Sequence, residues 1–264
     1  MPYGLCNAQE TFQREMNRIF FFLIGDYMFV YINNLIIFSI SLDEYIDHLH
    51  KVFTFLQENE LKINLEECSF FLTEVKILRH MSSAKGLSPL NDKVKFISQC
   101  LPLKNLKQVR SFLGVVLYYR KYIMNFAMIA KPLYQLLKKD ELFCWTEECT
   151  IVFHTLKKKI IETPILTAPN YSSPFIIRTD ASRNGQGDVL SQWDKDCVEV
   201  PIYFESRSLF NSELNYSITD LEEKAVYYCV QKFKTYILLL QWFILIINHL
   251  YIYSLKENQL TVVI

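Results

Sequence analysis

Apolar positions alternate between helical spacing and short strand-like runs along the first half of the chain. Residues 8–22 place Phe12, Met16, Ile19 and Phe20 on one helical face. Two apolar runs follow at 28–32 and 35–39, and Asn33-Asn34 between them predicts a two-residue hairpin turn, because Asn tolerates positive φ. Ser41 is a candidate N-cap for a long helix to Glu60, with Leu42, Tyr45, Ile46, Leu49, Val52, Phe53 and Leu56 as its apolar stripe. Short strands are predicted at 61–64, 70–73 and 75–82, and Gly86 and Pro89 mark a break. Asn91 caps a predicted helix at 92–100. Asn105 then starts one whose inner face is Leu106, Val109, Phe112, Leu113, Val116 and Tyr119.

A third helix is predicted near 126–138, and Thr146 caps another to Ile161. Pro164 and Pro169 frame a linker, after which the pattern changes to strands at 174–180, 187–193 and 201–207. A helix capped by Thr219 and reaching about Tyr236, and a strand near 242–247, complete a mixed α/β layout. The apolar run at 236–247 is shorter than the roughly 18–20 residues of a spanning helix, and a buried strand after a helix accounts for it; a membrane anchor using 236–253 is the alternative.

With 264 residues, half of them hydrophobic, the chain has material for two domains and sizeable cores, and its composition excludes a disordered or fibrous protein. Seven cysteines without a C-x-x-C pair indicate neither a zinc site nor a redox motif and suit an intracellular setting, cytoplasm or nucleus. Formal net charge is zero, but Lys104, Lys107, Arg110, Arg120, Lys121, Lys131, Lys138 and Lys139 are opposed within 101–140 only by Asp140. Such a stripe is either a solvated helical face or a phosphate-tracking surface.

Several blocks, in order, resemble the reverse transcriptases of gypsy-type LTR retrotransposon Pol polyproteins. MPYGLCNAQETFQREM (1–16) is similar to that family's Pro-Phe-Gly-Leu motif, and YINN (31–34) stands where the family has its Tyr-x-Asp-Asp hairpin. Residues 48–71 resemble the next palm helix and strand, 75–94 the primer-grip region and 103–139 the thumb. FIIRTDAS…GQGDVLSQ (175–192) and LNYSITDLEEKAV (214–226) resemble a ribonuclease H core. The resemblance implies an α+β chain with a partial palm at 1–84, lacking fingers and the first catalytic motif, and a helical thumb at 85–142. A connecting helix and linker at 143–173 and a C-terminally truncated ribonuclease H-like mixed-sheet domain at 174–264 follow. The implied activities are RNA-directed DNA synthesis and hydrolysis of RNA in hybrids, with Mg2+ as cofactor and RNA–DNA hybrid or duplex DNA as partner, without a membrane or a small-molecule substrate beyond nucleotides.

The departures fall on the chemistry. Phosphoryl transfer by two metals needs ions about 3.5–4 Å apart, held by carboxylates. Asn33 and Asn34 occupy the positions of the hairpin's two Asp, and Asn248, in Ile-Asn-His, occupies that of a third ribonuclease H acid. Asp180 and Glu222 match the first two ribonuclease H acids, as catalytic groups and metal ligands. Read from the residues alone, they are a strand-end turn residue and a helix charge. Nucleic-acid contact is implied for Pro2, Tyr3, Gly4, Gln13, Arg79, Lys104, Lys107, Arg110, Arg120 and Lys121, with Arg79 in place of the family's Gly. Asp188 replaces a small apolar residue and, if it faces inward, costs stability unless paired. The expected protein is a polymerase-dead remnant that still binds nucleic acid; an active metal-dependent nuclease using Asp180 and Glu222 is the alternative.

Overall fold

Separate hydrophobic cores organise the chain, one in residues 1–71 and the others in 72–264, and these two stretches are compact units. The structure, a computed structural model, describes residues 6–138, 143–237, 242–247, 250–255 and 260–263.

In the first unit, helix α1 (Ala8–Ile19) precedes a hairpin of β1 (Met28–Tyr31) and β2 (Asn34–Ile37), and helix α2 (Leu42–Glu58) follows. Met16, Phe20, Leu23, Tyr27, Met28, Val52 and Leu56 make the core. The Ser41 hydroxyl accepts from the Glu44 backbone N–H, so the expected cap forms. The stripe of α2 is only half used: Val52 and Leu56 are buried, whereas Leu42, Ile46 and Phe53 are exposed. No strand forms at 61–64 or 70–73; a 3-10 turn (Leu65–Glu67) occupies the stretch between them. The rings of Phe70 and Phe71 instead contact Phe53 and Tyr45 of α2, so these apolar residues cover a helix rather than join a sheet.

The second unit opens with an antiparallel sheet of β3 (Glu74–Ile77), β4 (His80–Ser83) and β5 (Gly86–Pro89). The single strand expected at 75–82 is thus a hairpin, with Leu78 and Arg79 as its two turn residues at φ 44° and 60°. A two-residue turn with both φ values positive matches the twist of the flanking strands. Gly86 is required where it stands: at φ 126°, a Cβ would lie 2.2 Å from the Leu166 carbonyl oxygen. That approach lets Leu87 and Leu166 exchange both backbone hydrogen bonds, at 2.7 and 2.9 Å.

Helices α3 (Asn91–Ser98), α4 (Leu106–Tyr118), α5 (Phe126–Gln135) and α6 (Glu147–Ile161) pack around Ile97, Val109, Phe112, Leu113, Val116, Ala130, Leu133, Phe153 and Leu156. The caps at Asn105 and Thr146 form as the sequence predicts. Asn91 does not cap; it is the first helical residue, and Leu90 precedes it without a side-chain bond.

A mixed sheet follows, in the order β11-β10-β9-β6-β7-β8. Strands β6 (Phe175–Ser182), β7 (Gly185–Trp193) and β8 (Glu199–Arg207) are antiparallel, and β9 (Trp242–Ile247) runs parallel to β6. Strands β10 (Leu250–Leu255) and β11 (Leu260–Val263), which the sequence did not suggest, extend the sheet beyond β9. Helix α7 (Ile218–Lys232) packs on one face, its Cys229 and the following Phe233 lying against Phe175, Ile177 and Leu190 of the sheet. Its cap is Ser217, in a capping box with Asp220, not Thr219, and a separate turn, α8 (Lys234–Ile237), follows it. The membrane anchor expected as an alternative at 236–253 is not a spanning helix where it is described: 242–247 and 250–255 are paired strands. Among the described residues no helix is long and apolar enough to cross a membrane.

Candidate nucleic-acid interface and remnant metal sites

The tip of the β1–β2 hairpin pairs Tyr31 with Asn34, so the turn residues are Ile32 and Asn33, one position earlier than the expected Asn pair. Ile32 takes the positive φ, 52°. A β-branched residue is held there by Gln13 of α1: its Oε1 accepts from the Ile32 backbone N–H at 2.6 Å, and its Nε2 donates to the Val30 carbonyl at 3.1 Å and to Asn17 Oδ1 at 2.7 Å. Gln13, expected at a nucleic acid, is therefore committed to shaping the hairpin. Asn33 and Asn34 are exposed. Their neutral amides supply no negative charge to a pair of divalent ions.

Lys104, Lys107 and Arg110 are exposed at the start of α4, while Val109, Phe112, Leu113 and Val116 on its other side fill the core. Asn105, Leu106, Lys107, Arg110 and Phe143 line a shallow open depression there. The other expected cations are differently employed. Arg120 Nη2 stands 3.6 Å from the buried carboxylate of Glu205, and Lys121 is half-buried with its ammonium 5.3 Å from the centre of the Tyr122 ring. Burial pushes the Lys121 ammonium down to about 8. Arg79 is exposed, its guanidinium 5.6 Å from the centre of the Tyr118 ring. The hydroxyls of Tyr118 and Tyr119 donate to the carbonyls of Leu78 and Arg79, which tie the β3–β4 turn to the end of α4. Pro2, Tyr3 and Gly4 lie outside the described residues.

In the mixed sheet, Asp180 is exposed near the end of β6, and Glu222 is half-buried in the second turn of α7. The buried contacts of Ala181 with Leu221 and Ala225 bring these two segments together. Thr179 pairs with Ile247 of β9; Asn248 lies outside the described residues. Among the described residues no group of three or more His, Cys, Asp or Glu side chains is arranged to hold a metal ion. Asp180 and Glu222 are two carboxylates on adjacent segments, fewer than a closely spaced magnesium pair ordinarily takes.

A buried polar assembly lies in the same sheet. Asp188 is buried, as its inward strand position requires, and accepts from Gln186 Nε2 at 3.0 and 2.8 Å. Its pKa is pushed up to about 7, chiefly by burial. Glu205, opposite it on β8, receives Lys232 Nζ at 2.8 Å. Arg207 grips Glu213 with two bonds of 2.6 and 3.0 Å and donates to Gln186 Oε1 at 2.9 Å. The Arg207 guanidinium holds the Glu213 carboxyl below the usual range. A second buried group is His80, whose Nδ1 lies 2.9 Å from the Tyr122 hydroxyl, with Tyr118 stacked on its ring. Burial pushes this imidazole down to about 4. The sequence flagged Asp188 alone among these; the Glu205, Arg207 and Glu213 side chains carry no periodic signal that separates them from surface charges.

Comparison with known proteins agrees with this arrangement. Residues 1–117 match the family described as reverse transcriptase (RNA-dependent DNA polymerase), and residues 145–244 match the RNase H-like domain found in reverse transcriptase. The retrovirus-related Pol polyprotein from transposon 297 of Drosophila melanogaster is 41% identical over 240 residues, covering 90% of this chain and 22% of the relative. The transposon Tf2-7 polyprotein of Schizosaccharomyces pombe is 32% identical over 237 residues, covering 90% of this chain and 18% of the relative. The chain thus spans about a fifth of the length of the curated relatives it matches. The foamy viral protease-reverse transcriptase in complex with RNA/DNA hybrid superimposes with a TM-score of 0.80 at 22% identity, covering 94% of this chain and 33% of that one. The same viral protein in complex with dsDNA gives 0.80 at 21% identity, covering 94% and 51%. In order of segments, in fold and in sequence, the chain belongs to the reverse transcriptase–ribonuclease H part of the retrotransposon Pol family.

Proposed function

We propose that this chain binds the backbone of RNA–DNA hybrid or duplex DNA and does not polymerise. The observation that carries the reading is the exposed trio Lys104, Lys107 and Arg110 on a helix whose opposite side is locked in the core. Rigid cations of this kind track phosphates without reading sequence. Arg79, on the β3–β4 turn tied to the far end of α4, is a further exposed cation, whereas Arg120 and Lys121 contribute less because of their protein partners. Amides at Asn33 and Asn34 support the loss of polymerisation. The working division is palm 1–84, thumb 85–142, connection 143–173 and ribonuclease H-like domain 174–264, in an intracellular setting.

A gel shift with an RNA–DNA hybrid at 50 and 200 mM salt tests the reading. Binding should weaken steeply with salt, and Lys107→Glu with Arg110→Glu should weaken it further while lowering the salt slope by about two. Binding that ignores both changes counts against it. A second reading, a metal-dependent nuclease, is favoured by the packing that joins the segments of Asp180 and Glu222. Hybrid cleavage above an Asp180→Asn control supports that reading, and equal activity removes it.

A further inference from the structure

Three polar residues lie in one row across neighbouring strands: Thr179 on β6 pairs with Asp188 on β7, which pairs with Glu205 on β8. All three are buried, beneath α7. Side chains directly opposite on adjacent strands have Cβ atoms about 5 Å apart, and like charges there repel. Cations are unevenly divided among the acids. Glu205 has Lys232 at 2.8 Å and Arg120 at 3.6 Å. Glu213 has Arg207. Among the described residues, Asp188 has only the neutral amide of Gln186 as hydrogen-bond partner, and the Thr179 hydroxyl beside it is buried without one.

We propose that Asp188 is held as a neutral carboxylic acid facing Glu205, which takes the two nearby cations, and that the Asp188 proton fastens the β7–β8 edge of the sheet to the segment between α4 and α5. That segment reaches the sheet through Arg120 on Glu205, through the Ala127 backbone N–H donating to Ser206 Oγ at 2.8 Å, and through Asn125, whose side-chain oxygen sits against Gly187. Ionised Asp188 competes with Glu205 for its two cations and so loosens the joint. The groups that set the balance are Asp180 on β6, Gln186 on β7, Glu205 and Arg207 on β8, Tyr228, Cys229 and Lys232 on α7, Arg120 in the 3-10 turn after α4, and Glu213 after β8. Burial and the facing Glu205 both raise the Asp188 carboxyl, against the pull of Gln186 and Arg207.

The test uses the full chain labelled with 13C-carboxyl aspartate, titrated from pH 5 to 9. One aspartate should titrate near 7, and Glu205→Gln should bring that midpoint down. The melting temperature of the native chain should fall several degrees more than that of Asp188→Asn between pH 6 and 8.5. Exchange of the Ala127 amide at pH 8 should be several-fold slower in Asp188→Asn than in the native chain. An aspartate set that titrates wholly below pH 5 overturns the proposal, as do superimposable pH profiles for the two chains. If Asp188→Asn does not fold, the native titration and the Glu205→Gln shift decide the matter alone.

Discussion

Acidification should weaken the second unit through His80. The imidazole is buried on three tyrosines, with its pKa lowered from 6.5 to about 4. In the unfolded chain it takes up a proton near 6.5. Between these values the unfolded state binds more protons, so stability is fully present above pH 6.5 and is lost as pH falls through 4. At about 1.4 kcal/mol per pH unit, the gap sets an upper bound of roughly 3 kcal/mol. Asp188 acts with the opposite sign, because its raised pKa gives stability that is present below 3.8 and lost as pH rises through about 7. A comparison with His80→Gln, which keeps a polar partner for Tyr122 and removes the titration, separates the two. Urea unfolding followed by tryptophan fluorescence at pH 7 and 4.5 is the assay; Trp145, Trp193 and Trp242 all lie in the second unit. The native chain should lose about 2–3 kcal/mol more than the variant over that interval. Equal losses would show that His80 does not resist protonation, and the argument from its burial would be wrong.

Other expectations follow from single contacts. Leu78→Asn should stabilise the second unit by about 1 kcal/mol in the same urea assay, since Leu at φ 44° is strained and Asn is not. Gln13→Leu should cost the first unit about 1 kcal/mol and speed amide exchange at Ile32, whose N–H loses its acceptor; unchanged exchange contradicts the clamp. Arg207→Met should destabilise by roughly 3 kcal/mol or more in thermal unfolding, because it strands the buried Glu213 carboxylate without its cation.

Much of the fold is legible where local chemistry is unambiguous. Ser41, Asn105 and Thr146 cap helices because each stands directly before an apolar periodic run. The stretch at 242–247 forms the predicted strand because it is too short to span a membrane and fits beside β6. Failures occur where a distant partner decides. The hairpin turn moves to Ile32 because Gln13, far away in sequence, binds its N–H. The strand expected at 75–82 splits because the hydroxyls of Tyr118 and Tyr119 donate to the carbonyls of Leu78 and Arg79 and so hold the turn. Of the site, the amides at Asn33 and Asn34 and the acid at Asp188 stand out only because the family resemblance sets a different residue type at those positions. That Arg120 faces Glu205 instead of solvent is not, since a basic helix end looks the same whether its neighbour is water or a buried acid.

The bridge between Leu87 and Leu166 has a consequence for vectorial synthesis. Until the ribosome has released the segment after α6, the outer edge of β5 carries unsatisfied amides and carbonyls in a nascent chain. That edge is a template for pairing with a neighbouring polypeptide, so slow elongation between these two leucines should favour aggregation over native closure.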